Sequence, residues 1–482
     1  MQKIVHLFHQ YFSILAALFF AMLFYIFRGD YFFGDAITST SRSTTYIFEQ
    51  GIYFYPSGFD PGHPPTYSIL LAFCWKLFGK SLLVSHAYGM LWCVILFVGF
   101  RKVSRLFLSL HYTNYASVLV LMHPTFISQN AMMLNTSMLM GCFLWSIYYL
   151  VSKQNLKLTI ILSIMIVTHL QGSFFLASIA ITDFIINRKT TPFLSFLKTK
   201  FLVYAIPFIL FLGWLLVHYY HAGWWIISPD FSDAHETNSL LQVVKGLAYC
   251  TWRFIDYGML VPILIYFIAK IRSKKIDDPD LLLWIPLLVS SIIMSLILKN
   301  TIAHRYFLGF ELFLIILTIR EISFYSKQQA IYYIMMMVAF AAGNFIYYPG
   351  KTIADANIRY RDSFGAMGAM YQDLSPNKNI FSKAPLANPM KYINLQSDDT
   401  YLKRIDWPME SLPAVVSSNV CAEFTTTENE ILNTWYGKSY EHGAVYVNYF
   451  LNPKYNEKPT NWKLREPGIL ETWMSKLKKK FK

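Results

Sequence analysis

Long apolar stretches, separated by short polar or basic links, fill most of the chain up to about residue 350. A helix that crosses a lipid bilayer needs about 20 mostly apolar residues. By this criterion the pattern predicts a polytopic α-helical membrane protein with about eleven spans, several of them short. The predicted spans are 9–27, 83–100, 113–128, 132–151, 157–170, 172–187, 201–220, 256–270, 281–298, 303–319 and 330–348.

Three longer blocks fall outside these spans: a first loop (28–82), a middle loop (221–255) and a C-terminal tail (350–482). Residues 1–349 are therefore predicted to form a transmembrane module. The tail mixes polar and apolar residues and is predicted to form a small α/β or α+β domain.

Basic residues mark alternate links between the predicted spans, as the positive-inside rule requires of cytoplasmic segments. They are Arg101, Lys102, Arg105, Lys153, Lys157, Arg188, Lys189, Lys198, Lys200, Arg272, Lys274, Lys275, Arg320 and Lys327. With a cytoplasmic N-terminus and an odd number of spans, all three long blocks lie on the outer side. The sequence thus predicts a multi-pass protein of the plasma (inner) membrane with an extracytoplasmic C-terminal domain.

Composition agrees with the pattern. Of 482 residues, 55% are hydrophobic and only 15% are charged, which excludes a disordered chain. Five cysteines are too few for a disulfide-stapled secreted domain. The formal net charge of +14 comes partly from the cytoplasmic links and partly from the tail, which ends KLKKKFK. We interpret that ending as a solvated or lipid-headgroup-binding segment and expect no nucleic-acid partner.

The first loop carries the candidate chemistry. Asp30 and Asp35 follow the first span directly, and a carboxylate beside the membrane is a functional candidate by default. The alternative is that Asp35 only caps a helix predicted at 36–50. His63 lies between Gly62 and Pro64, where it acts either in binding or as a hydrogen-bond donor that fixes the loop. The stretch TYSILLAFCWKLFG is too short to span and is predicted to form an interfacial helix.

Taken together, FFGDAITSTSR, DPGHPPTYSILLAFCWKLFG, the hydropathy pattern to about residue 187 and HRYFLGFELF resemble a known family. The resemblance is to membrane glycosyltransferases with the GT-C fold. It is nearest to the bacterial branch related to protein O-mannosyltransferases and the lipid A aminoarabinose transferase, and it covers roughly residues 1–350. Such enzymes transfer a sugar from a polyprenyl-phosphate donor to an acceptor hydroxyl outside the membrane. The acceptor would be a glycan, a lipid or a protein.

This resemblance implies that Asp35 is the general base of an inverting transfer within a catalytic module of residues 1–349. A leaving phosphate needs a cation, and Arg305 at the outer end of the tenth span is the best candidate; its alternative role is interfacial anchoring. Asn135 stands where many relatives place a second aspartate. The candidate substrate-binding residues are Asp30, Arg42, His63, Tyr67, Asn135, His169, Trp224, His304, Arg305 and Tyr306.

The sequence gives little support for a metal site. Asp230, Asp233, His235 and Glu236 lie in the middle loop, but their spacing matches no tight ligand motif, so a divalent metal has little support and no cofactor is predicted. Two other functions stay open. One is an O-antigen-type polymerase or ligase that uses lipid-linked glycans, and the other is a transporter or flippase.

Overall fold

The computed structural model of the chain describes residues 2–33, 35–51, 62–188, 191–226, 239–273, 277–298, 302–324, 328–348, 356–373, 381–382, 414–418, 430–442, 445–455 and 463–464. The helices in the first half of the described chain are α1 (Gln2–Phe27), α2 (Ser43–Gln50), α3 (Thr66–Phe78), α4 (Leu82–Phe107), α5 (Leu110–Met122), α6 (Pro124–Ala131), α7 (Thr136–Val151), α8 (Asn155–Ile166) and α9 (Gln171–Asn187). They are followed by α10 (Phe193–Ala222), α11 (Leu240–Ile255), α12 (Leu260–Ser273), α13 (Asp278–Ile297), α14 (Leu308–Ser323), α15 (Gln329–Gly343) and α16 (Asp362–Asp373).

Within the described residues, four helices are long and apolar enough to cross a membrane: α1 from His9, α4, α10 and α13. The pair α11 and α12 would add a fifth span if its bent halves are counted together. Shorter apolar helices, among them α7, α8, α9 and α15, occupy other predicted spans. The structure is therefore that of a helical membrane protein, while the count of eleven spans stays a prediction.

Two predicted boundaries differ from the structure. The span predicted at 113–128 is divided into α5 and α6, because His123 precedes Pro124 and a residue before proline disfavours the helical conformation. The His123 ring then accepts a hydrogen bond from the Phe126 N–H and caps α6. The second difference concerns the middle loop predicted at 221–255, whose described end is the helix α11.

The helix α14 lies at the centre of the membrane module. Its sequence LGFELFLIILTIREIS is apolar on nearly every face, which is the pattern of a helix surrounded by others. Leu312, Phe313 and Ile316 have no solvent exposure, and α14 packs against α4, α5, α7, α12 and α13. The helix α14 is therefore held in place from several sides.

A second core lies at the end of α1 and joins the first loop to the helices. It comprises Leu23, Phe27, Phe32, Phe33, Ala36, Ile37, Tyr67, Leu71, Trp75, Tyr88, Ala131, Met132, Met133, Leu134, Met138 and Tyr360. A π-helical segment, Ala36–Arg42, leads into α2 and confirms the helix predicted at 36–50. The predicted interfacial helix is α3, which buries Leu71 and Trp75 and exposes Phe73 and Phe78 on the other side.

The tail contributes a small mixed sheet, with β1 (Phe381–Ser382), β2 (Ala414–Ser418), β3 (Tyr436–His442) and β4 (Val445–Leu451). The strand order is β1-β2-β4-β3; β1 pairs with β2 in parallel, and the remaining pairs are antiparallel, with Val416 opposite Tyr449. The helix α16 packs against β3 and β4. The rest of the predicted tail domain lies outside the described residues.

The turn between α11 and α12 bends this helix pair by 95°. It requires a left-handed backbone at Tyr257 (φ 47°) and Gly258 (φ 95°). A Cβ at Gly258 would lie 2.5 Å from the carbonyl oxygen of Ala339 in α15. Glycine is thus needed both for the backbone conformation and for the close packing of the two segments.

We predict that Gly258→Ala lowers the free energy of unfolding by about 1–3 kcal/mol, since alanine is strained at positive φ and also clashes with α15. The matched control is Gly213→Ala in α10, where a Cβ would meet nothing within 4 Å. Thermal unfolding of the detergent-purified variants, followed by tryptophan fluorescence, measures both. Equal midpoints for Gly258→Ala and the wild type would show that the left-handed turn tolerates a side chain.

Candidate active site

Asp35 begins the π-helical segment, but its side chain does not cap it. The residue occupies the N-cap position in a helical conformation and makes no capping hydrogen bond with its side chain. Its backbone carbonyl instead accepts a hydrogen bond from the Ser39 hydroxyl at 2.6 Å. The side chain is 59% exposed. The capping role left open by the sequence is therefore excluded, and the carboxylate is available for another partner.

That partner is Arg305, which is 270 residues away in the sequence. The Nη2 of Arg305 donates to Oδ2 of Asp35 in a close ion pair. Arg305 belongs to the 3-10 turn His304–Phe307 that leads directly into the central helix α14. Its side chain is only 11% exposed and lies 5.1 Å from the centre of the Tyr306 ring. A mostly buried cation thus meets a mostly exposed carboxylate at the N-terminal end of α14.

Two histidines lie beside this pair. The rings of His63 and His169 stack with centroids 4.0 Å apart. Burial, His63 and the positive charge of Arg305 hold the pKa of His169 well below its usual range, so the ring is neutral near pH 7. The N–H of Gln171 donates to Nδ1 of His169 at 3.0 Å, which places the proton of the neutral ring on Nε2. His169 therefore contributes a hydrogen-bond donor without adding a charge.

Gln171 connects the histidines to the arginine. Its side-chain Nε2 donates to the carbonyl oxygen of Tyr306 at 3.0 Å. A second connection runs from the first loop, because the Thr66 hydroxyl donates to the carbonyl oxygen of Val167. The link between α8 and α9 is thus bonded both to the first loop and to the turn that carries Arg305.

Trp224 approaches the same corner from the end of α10. Its indole would lie 3.2 Å from a Cβ at Gly62, which has a positive φ of 73°. A glycine is therefore favoured at the first position of the GHPP motif, because a Cβ there would be in tight contact with the indole. Trp224 is 7% exposed and packs edge-on against His218, whereas Trp225 stacks on Tyr219 at 4.3 Å.

His304 points away from Arg305 into a buried polar cluster. Its Nε2 lies 2.9 Å from Oδ2 of Asp256, at the bend between α11 and α12. Tyr348 donates a hydrogen bond to the same carboxylate. Arg253 donates to the carbonyl oxygen of Ile302 at 3.1 Å and lies 3.3 Å from His304 Nδ1. This cluster fixes the 3-10 turn His304–Phe307, which contains Arg305.

The remaining sequence candidates lie elsewhere. Asp30 pairs with Arg361, and Tyr67 is buried against Tyr88 in the second core. Arg42 is exposed at the end of the π-helical segment, and Asn135 begins α7 without a side-chain capping bond. The acidic and histidine residues of the middle loop lie outside the described residues. Among the described residues, no group of three or more histidine, cysteine, aspartate or glutamate side chains could hold a metal ion.

Several contributors were not singled out by sequence reasoning. Gln171 is two residues from the candidate His169, and this proximity was the one feature of the sequence that pointed to a role for Gln171 in the site. Asp256 lies near a predicted span end, where a carboxylate can be solvated. Its position in the sequence therefore gave no sign that it is the partner of His304. Arg253 carries no local signal, since its contacts are made 49 and 51 residues away.

We predict that His304→Phe costs about 1–3 kcal/mol of stability, because it removes a hydrogen-bond partner of the buried Asp256 carboxylate. Thermal unfolding in detergent measures the change. The control is Lys80→Gln, which breaks the more exposed pair with Glu49 and should cost at most about 1 kcal/mol. Similar losses in both variants would contradict a structural role for the Asp256–His304 pair.

The whole chain is similar in three dimensions to solved membrane proteins. It matches ArnT from Cupriavidus metallidurans bound to undecaprenyl phosphate with a TM-score of 0.52 and 10% identity, over 91% of this chain and 98% of ArnT. The apo state of ArnT matches with a TM-score of 0.52 and 11% identity over the same shares. The apo oligosaccharyltransferase of Archaeoglobus fulgidus gives 0.47 and 11%, over 96% and 77% of the two chains.

No protein-family model and no curated sequence matches the chain. The similarity to ArnT is therefore one of fold at very low sequence identity. It nevertheless extends over nearly the full length of both chains. The resemblance found in the sequence motifs is confirmed at this level: the chain has the GT-C fold of membrane glycosyltransferases.

Proposed function

We propose that the protein is a membrane glycosyltransferase that moves a sugar from a polyprenyl-phosphate donor to an acceptor hydroxyl outside the membrane. The observation that carries this proposal is the ion pair between Asp35 and Arg305. It joins the candidate base of the first loop to the candidate phosphate-binding arginine. Both residues belong to the motifs that resemble the GT-C family, and they meet although they are far apart in the sequence.

In the proposed reaction Asp35 accepts a proton, and Arg305 stabilises the negative charge of the leaving phosphate. Asp35 removes the proton of the acceptor hydroxyl while that oxygen attacks the anomeric carbon of the sugar. The bond from the anomeric carbon to the phosphate oxygen breaks, and its electron pair leaves with the polyprenyl phosphate. Arg305 stabilises the phosphate by bidentate, charge-assisted hydrogen bonds. A single displacement of this kind inverts the anomeric configuration.

The ion pair also implies an order of events. In the structure the Oδ2 of Asp35 is occupied by Arg305, so this oxygen has to be freed before it accepts a proton. A donor phosphate that binds Arg305 replaces the carboxylate as its anionic partner. The donor therefore binds first, and its arrival releases Asp35 to face the acceptor.

The surroundings suit a lipid-linked sugar. The similar structure of ArnT is bound to undecaprenyl phosphate, which is the kind of lipid we propose as carrier. The exposed apolar side of α3, with Phe73 and Phe78, fits a helix lying at the lipid interface. His169 offers an N–H donor beside the Asp35–Arg305 pair. Together these features support a site at the outer surface of the bilayer.

The proposed orientation follows from the basic links. The N-terminus lies in the cytoplasm, the chain crosses the plasma (inner) membrane repeatedly, and the site and the tail face outward. The acceptor on that side is a glycan, lipid or protein hydroxyl.

The first test is Asp35→Asn, which keeps the size of the side chain but removes its basicity. Purified protein is supplied with a panel of undecaprenyl-phosphate monosaccharides and acceptor extracts, and release of undecaprenyl phosphate is followed by mass spectrometry. We expect turnover to fall by about 10²–10⁴-fold. The matched control is Glu49→Gln on α2 of the same loop, which should retain wild-type turnover.

Undiminished turnover of Asp35→Asn would show that Asp35 is not the base. A parallel assay with an undecaprenyl-pyrophosphate oligosaccharide as donor separates the alternatives, because release of undecaprenyl pyrophosphate indicates a polymerase or ligase. Sugar uptake into proteoliposomes without bond cleavage indicates a transporter.

The second test addresses the competition for Arg305, with undecaprenyl phosphate itself as the probe. Arg305→Gln should weaken its binding about 10–100-fold, because a charge-assisted contact worth about 1.5–3 kcal/mol is lost. Asp35→Asn should instead strengthen binding, since the internal competitor is neutral. Titration followed by native mass spectrometry measures both.

The control for this test is Arg28→Gln, an exposed arginine at the end of α1 that lies over the Tyr25 ring. It should leave the affinity unchanged. Weaker binding to Asp35→Asn than to the wild type would contradict the exchange of carboxylate for phosphate on Arg305.

A further inference from the structure

Beyond the last apolar helix, a short segment of the chain returns to the first loop. The 3-10 turn Ile358–Arg361 brings Arg361 to Asp30, which is 331 residues away in the sequence. The Arg361 Nη2 donates to Oδ1 of Asp30 at 3.0 Å, and its Nε lies 2.8 Å from Oδ2. Asp30 is only 7% exposed. The carboxylate is therefore held at both oxygens by one guanidinium.

Other contacts surround this pair. Tyr360 is completely buried, and its hydroxyl lies 3.5 Å from Asp30 Oδ2. The guanidinium of Arg361 lies 5.0 Å from the centre of the Phe27 ring. From the other side, His86 Nε2 contacts the carbonyl oxygen of Asp30 at 2.8 Å. Burial raises the pKa of the Asp30 carboxyl, while the charge and hydrogen bond of Arg361 oppose that shift and favour the ionised form.

The contacts continue along the chain toward the candidate base. The Phe33 ring packs on Tyr360 with centroids 5.1 Å apart and also meets Phe364 of α16. The carbonyl oxygen of Phe33 accepts a hydrogen bond from the N–H of Ala36 at 3.0 Å. Asp35 lies between these two bonded residues. Its backbone is thus anchored to a surface that the 356–373 segment provides.

We propose that Arg361 is a positioning residue for transfer, and that through Asp30 and Tyr360 it fixes the backbone that presents Asp35. This inference rests on the proposed function, because it assumes that Asp35 is the base. Since α16 also packs against β3 and β4, the same contacts join the strands of the tail to the base-bearing loop. The tail then acts on the chemistry without supplying a group that touches the substrate.

The test is Arg361→Gln in the full-length protein. We expect kcat to fall about 10–100-fold, since small displacements of a reacting group are costly. The affinity for undecaprenyl phosphate should not fall, because Arg305 is untouched and a displaced Asp35 competes with the phosphate less strongly. Hydrogen exchange in peptides that cover 31–42 should become faster. Arg361→Lys restores the charge with a single contact and should recover part of the loss.

The matched control is Arg359→Gln, two residues earlier on the same turn. Arg359 contacts Asp362 at 3.1 Å and the carbonyl oxygen of Phe345, on the side of Tyr347. A double-mutant cycle with Asp30→Asn completes the design. If Arg361 acts through Asp30, the double variant should lose no more activity than either single variant.

The proposal is overturned if Arg361→Gln retains the kcat of Arg359→Gln. It is also overturned if kcat and phosphate affinity fall together with the unfolding temperature, because that result describes general loss of structure. Its failure is distinguishable from failure of the proposed function. Wild-type turnover in Asp35→Asn rejects the base, whereas the hydrogen-exchange response reports the anchoring of 31–42 independently of any reaction.

Discussion

The site depends on one ion pair, between Asp35 in the first loop and Arg305 at the start of the central helix. Neither side chain is placed by its own segment alone. Arg305 is mostly buried, so its charge requires a nearby anion. The turn that bears it is fixed by α14, the most enclosed helix of the bundle, and by the Asp256–His304 pair behind it. A rigid cation on the bundle and a carboxylate on a loop form the simplest arrangement in which an incoming phosphate can replace the carboxylate.

The first loop needs separate support, because it lies outside the bundle and carries Asp35 at its surface. Three contacts provide it. Trp75 of α3 donates to the Ser85 hydroxyl at 2.9 Å, which fixes α3 to α4. Trp224 closes over Gly62, and Arg361 holds Asp30. These contacts come from different parts of the chain, so the loop that carries Asp35 is positioned by the middle and the end of the protein as much as by the first span.

The charges around the Asp35–Arg305 pair are arranged so that few of them compete with it. His169 is neutral beside Arg305, whereas the carboxylate of Asp256 is hydrogen-bonded to His304 and Tyr348 behind the turn. The carboxylate that now occupies Arg305 is the exposed partner of the pair. The proposed transfer from a polyprenyl carrier requires that the donor phosphate reach this cation while its lipid tail stays in the bilayer.

The sequence by itself determined the elements whose causes are local. Apolar runs predicted the helices, and the apolar stretch TYSILLAFCWKLFG, too short to span, predicted α3 as an interfacial helix. The residue types of the motifs selected both Asp35 and Arg305. The tertiary structure alone decided which side chains meet. It turned His304 toward Asp256, excluded Asp35 as a side-chain cap, and brought Arg361 to Asp30. Periodicity and turn chemistry act over a few residues, whereas pairs separated by 270 and 331 residues depend on how whole helices pack.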